Sequence, residues 1–122
     1  MTRKITAKCE DVSGSEFEDL NMAGTTFTNI NLTGARFHDI NFSDVNFSAA
    51  QLGGTVFRHI GPPPHEKDVR QRPVTFEEMT LCDSVFRDVD LSNVRIEKCD
   101  MTGMTIDGVL VTDLLEMYKA QR

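Results

Sequence analysis

The sequence predicts an all-β solenoid built in five-residue steps, with a short helix closing its C-terminal end. Three observations predict it. An apolar residue recurs at every fifth position, a small or apolar residue stands two places before it in 17 of 18 cases, and Gly, Asp or Asn stands two places after it in 14 of 18. Such a period is neither the 3.6 of an α-helix nor the two of a flat strand.

The apolar centres of the first array are Val12, Phe17, Met22, Phe27, Leu32, Phe37, Phe42, Phe47, Leu52 and Phe57. A second array continues with Phe76, Leu81, Phe86, Leu91, Ile96, Met101, Ile106 and Val111, and all 8 phenylalanines of the chain are centres. A centre and the residue two before it point the same way, as in a very short strand. The Gly/Asp/Asn column marks a corner after each centre, because those residues tolerate left-handed backbone. Short sides joined by corners wind a chain into a coil whose apolar columns face inward. The expected core is therefore the set of centres from Phe17 to Phe57 and from Phe76 to Ile106.

This register resembles the A(D/N)Lxx motif of the pentapeptide-repeat family over residues 10–113. The resemblance implies a right-handed quadrilateral β-helix. Pentads at four to a coil give about four coils, a stub roughly 20 Å tall at about 4.8 Å between strands. Residues 1–113 are thus expected to form the solenoid, with 114–122 as the capping helix.

The arrays are separated by GPPPHEKDVRQRP at 61–73, which contains all 4 prolines of the chain. Proline gives no ladder hydrogen bond, so this segment is expected to leave the coil as a surface loop. Its candidate partner-contacting residues are Pro62, Pro63, Pro64, His65, Lys67, Arg70 and Arg72. At the C-terminus, Asp113 and Glu116 have capping-box spacing, and Leu114, Leu115 and Tyr118 share a helical face. That face is expected to cover the last coil, and the family resemblance adds pairing with a second copy.

The residues offer little for catalysis. No GxSxG or phosphate-cradling glycine loop occurs. His38 and His59, near Asp39, suggest a metal less well than they suggest ordinary surface residues. Cys99 occupies an inward position and Cys82 an outward one. The expectation is no enzyme activity, no cofactor and no metal. The 122 residues fit one domain, no apolar run approaches the length of a membrane helix, no secretory signal is visible and the odd cysteine count fits a reducing cytoplasm.

Charge separates two functional readings. Thirteen bases against 19 acids leave a net −6. Residues 10–60 hold 7 acids and 2 bases and residues 74–113 hold 9 and 3, so the arrays carry −11 and the rest of the chain +5. An acidic chain without Trp is unsuited to direct nucleic-acid binding. The first reading is a non-catalytic scaffold that docks an unidentified protein. An uncharged side formed by Thr26, Thr28, Asn31, Thr33, Asn46, Ser48 and Gln51 is one candidate face. The alternative comes from the resemblance: some family members imitate DNA and bind DNA gyrase or topoisomerase IV. The arrays' linear charge is close to that of B-DNA, about one per 1.7 Å.

Overall fold

The structure, a computed structural model, describes residues 2–62 and 69–121. The chain divides into two units, Met1–Val56 and Phe57–Arg122. In both, the corner column sets the backbone. The residue two after each centre has positive φ at every described pentad from Val12 to Ile106, from Gly14 (75°) to Gly108 (82°). Gly, Asp and Asn fill most of these places because left-handed backbone brings Cβ against the following carbonyl in other residues.

The corners are of two alternating kinds, which the period of five conceals. After Val12, Met22, Leu32, Phe42 and Leu52 in the first array, and Leu81, Leu91 and Met101 in the second, the centre's carbonyl accepts the N–H three residues on. These bonds measure 2.9–3.3 Å. With positive φ at the third residue, each has the signature of a type II turn. The intervening corners, after Phe17, Phe27, Phe37, Phe47, Phe57, Phe76, Phe86 and Ile96, are bends with φ between 53° and 58° at Asp19, Asn29, Asp39, Ala49, His59, Glu78, Asp88 and Lys98. The true local repeat is ten residues. Leu, Met and Val mostly take the hydrogen-bonded corner and Phe the bend.

The second unit ends differently. Strand β1 (Thr105–Ile106) pairs antiparallel with β2 (Val109–Leu110), placing Thr105 opposite Leu110 and Ile106 opposite Val109. The N–H of Val111 donates to the Met104 carbonyl at 3.0 Å and closes the hairpin. Helix α1 follows directly at Val111–Ala120. Asp107 and Gly108 both have positive φ, 48° and 82°. One left-handed residue turns the chain through a corner, whereas two in succession make the type I′ turn that reverses it. The pentads centred on Ile106 and Val111 are therefore a hairpin and a helix start, not further solenoid sides.

Two expectations about the cap are corrected with it. The helix begins at Val111, three residues earlier than expected. Its N-cap is Leu110, in extended conformation and without a side-chain cap. Asp113 consequently lies inside the first turn and makes no capping box. It acts there as an acid at the positive end of the helix dipole, with Lys119 at the negative end.

The expected core is also corrected. Phe17, Phe27, Phe37, Phe47, Phe57, Phe76, Phe86, Leu32, Leu91, Ile96 and Ile106 are at least half exposed, and Met22, Phe42 and Leu81 only slightly less so. Leu52 and Met101 are half-buried. Cys99, expected as inward filler, is exposed, its thiol donating to the Glu97 carbonyl at 3.2 Å. The physical reason is range. The turn and Asx bonds of the arrays span two or three residues, and a corner cannot cover its own centre. Burial requires coil against coil, and within each unit no described residues twelve or more apart bring their Cα atoms within 8 Å. The one buried apolar side chain among the described residues is Val111, with Met101 and Met104 half-buried at the base of the same hairpin.

Candidate interaction surfaces

The hydrogen-bonded corners present a row of Asx turns. Asn21, Asn31 and Asn41 accept the N–H two residues on at 2.9–3.0 Å, and Asp11, Asp90 and Asp100 do the same at 2.9–3.0 Å. Hydroxyls reinforce some of them, as where Thr33 donates to Asn31 at 2.6 Å. Each such bond holds the turn that follows it. The same bonds favour the ionised form of the three acids. Hydrogen bonds from Ser13, Ser92 and Thr102 hold the carboxyls of Asp11, Asp90 and Asp100, respectively, below their ordinary 3.8. At Asp90 the charge of Arg70 adds a smaller push in the same direction.

This row was legible in the sequence as Asn or Asp immediately before six of the eight alternate centres, all but Leu52 and Leu81, a signal with period ten that a search in fives passes over. It also revises the uncharged side. Asn31 and Thr33 are spent on a turn, while Thr26, Thr28, Asn46, Ser48 and Gln51 are exposed. The charged residues of the first array, Glu16, Glu18, Asp19, Arg36, Asp39 and Arg58, lie instead around the bends after Phe17, Phe37 and Phe57 and are exposed. In the second array Arg95 and Glu97 meet at 3.6 Å across Ile96, a surface pair of small energetic weight.

The inserted segment is described only at its roots. Pro62 is half-buried, and Arg70 and Arg72 are exposed. Pro63, Pro64, His65 and Lys67 lie outside the described residues. On α1, Leu114, Leu115, Met117 and Tyr118 keep between 41% and 63% of their surface exposed, so the helix retains an uncovered apolar side. All three cysteines are free and exposed, including Cys82 as expected. Among the described residues no three His, Cys, Asp or Glu side chains are grouped so as to hold a metal, and His38, Asp39 and His59 are each exposed. No helix among them is long and apolar enough to cross a membrane.

A chain turned at every fifth residue by a left-handed corner, with side chains that serve the turns, is a pentad-repeat scaffold. The family model for pentapeptide repeats matches residues 21–58 and 74–103 as 8 copies, more than half of the chain. The protein belongs to the pentapeptide-repeat family. The match stops at 103, immediately before the hairpin. No curated protein and no solved structure matches the chain.

Proposed function

We propose that the protein is a non-catalytic, cytoplasmic β-solenoid that serves as a protein–protein interaction module. In its working form the arrays wind as a right-handed quadrilateral coil of about four turns. The observation that carries this reading is the unbroken column of left-handed corners in the described arrays, alternating between hydrogen-bonded turns and bends. That backbone has the corners a closed coil needs. Winding would bury the exposed centre columns, and each fully buried Phe or Leu contributes about 1.5–3 kcal/mol. The outer residues Thr26, Thr28, Asn46 and Ser48 then form a flat, neutral face for a protein partner. Photo-cross-linkers at Thr28 and Ser48 are expected to trap one protein species in cells, and Thr28→Arg is expected to abolish the product. Labelling indistinguishable from that of a linker at Glu18 would remove this face from consideration.

A second reading, imitation of DNA toward a type II topoisomerase, draws on the −11 carried by the arrays. Against it, Asp11, Asp90 and Asp100 hold turns and Asp19, Asp39, Asp44, Asp83 and Asp88 occupy left-handed corners. Half of the arrays' acids thus have a backbone role. The stub is also only about six base-pair steps tall, at roughly 3.4 Å each, unless the apolar side of α1 pairs two copies. A supercoiling assay with purified gyrase, with and without a fluoroquinolone, separates the readings. The module reading expects neither inhibition nor protection, and light scattering during gel filtration decides between monomer and dimer.

A further inference from the structure

Several independent features of the arrays fail in the same place. Of the eight hydrogen-bonded corners, six are preceded by an Asn or Asp whose side chain holds the turn. The two without one are those after Leu52 and Leu81, preceded by Gln51 and Thr80. Glutamine is one methylene too long to close the Asx ring, and Thr80 has a shorter reach from its hydroxyl. These two corners flank the inserted segment. The turn bond at Leu81, from Ser84 at 3.3 Å, is also the longest of the eight, whereas that at Leu52, from Thr55 at 2.9 Å, is among the shortest, so bond length singles out the second root only.

The bends fail there too. Three consecutive bend corners around the insertion are Ala49, His59 and Glu78, with φ of 55°, 58° and 54°. The bends farther out are Asp19, Asn29 and Asp39 on one side and Asp88 on the other. Ala and Glu take left-handed backbone poorly, and His59 is the mildest of the three. Cys9 and Lys98 share the defect, but each stands beside a corner with its Asx bond intact. Gly53 adds a further freely jointed residue in the Leu52 turn, where its φ does not require glycine. Finally, the edge-to-face row Phe37–Phe42–Phe47, with ring centres 5.7 and 5.9 Å apart, ends as this stretch begins.

We propose that residues 49–60 and 74–83 form a labile seam that opens ahead of the rest of the arrays. Local opening follows the least stabilised backbone, and here the losses coincide at both roots of the insertion. The roots at Ile60 and Val74 are thus carried on the part of the scaffold most able to move, while residues 21–45 and 86–103 stay folded as an internal reference.

Hydrogen exchange on the full-length protein tests this within a single molecule. Amides of 49–60 and 74–83 are expected to exchange at least tenfold faster than those of 21–45 and 86–103. A repaired variant carrying Ala49→Gly, Gln51→Asn, Glu78→Gly and Thr80→Asn is expected to slow the seam at least fivefold and leave the flanks unchanged. The folded flanks rest on the winding proposed above, so uniformly strong protection across the wild-type arrays overturns the seam alone, and uniformly absent protection overturns it together with the winding. A repair that changes protection uniformly or nowhere also overturns the seam.

Discussion

The arrays and the C-terminal hairpin–helix unit are written in the same five-residue register yet do different things with it. In the arrays each left-handed residue stands alone, each turn bond spans three residues, and the apolar centres remain uncovered. From Met104 onward two left-handed residues are adjacent, the chain reverses, and Val111 is buried where the hairpin meets α1. One extra residue of positive φ thus separates a corner that must wait for a distant coil from a hairpin whose paired residues lie three and five apart in the chain. The first kind of structure depends on long-range burial and the second on local pairing.

The largest test of that contrast is a charge placed in each region. With the arrays wound as proposed, Phe47→Asp is expected to unfold them, because a lone charge in the stacked apolar column of that form costs several kcal/mol. Met117→Asp, on the exposed side of α1, is expected to cost less than about 1 kcal/mol. Chemical denaturation followed by circular dichroism reads both. Unchanged stability in Phe47→Asp would show that the centre columns are not packed by winding.

Next come the glycines. A Cβ at Gly54 or Gly108 would meet nothing within 4 Å, so any cost there is conformational. Gly108→Val is expected to cost about 1–2 kcal/mol by opposing the hairpin turn. In the Leu52 turn the neighbours Gly53 and Gly54 should differ in sign. Gly54, at φ 77°, is expected to lose about 1 kcal/mol as Ala. Gly53→Ala is expected to gain about 0.4–1 kcal/mol by restricting the unfolded chain. Melting temperatures of the two single variants check this, and equal shifts would refute the turn assignment.

Smaller effects come from the Asx row. Asn41→Ala is expected to cost about 0.5–1.5 kcal/mol, a typical net hydrogen bond. Asn46→Ala, before a bend and without a turn bond shown, is expected to be nearly neutral. The smallest effect is with pH. Asp11, Asp90 and Asp100 have folded values below 3.8, so the folded state binds their protons less readily than the unfolded chain. Their stabilisation is present above the unfolded value and is lost as pH falls through the lowered folded values. Denaturation midpoints are expected to decline below about pH 4, and Asp90→Asn should make that decline shallower.

The sequence by itself determined the backbone conformation of the arrays. At the Gly, Asp and Asn corners from Gly14 to Gly103 left-handed φ follows from local sterics, without reference to distant residues, while Ala49, His59, Glu78 and Lys98 take it by their place in the register. The Asx row was equally legible, in tens rather than fives. What only the three-dimensional structure decided was where the repeat ends and what lies covered. The apolar column runs unbroken through Ile106 and Val111, and the five-residue pattern hides the turn there, although the Asp107-Gly108 pair between apolar residues is itself a hairpin signal. Nor does an apolar centre bury itself: Phe47 and Val111 occupy the same place in the register, and Val111 is the one covered. Burial is a relation between segments, and at Val111 the hairpin and helix bring those segments together.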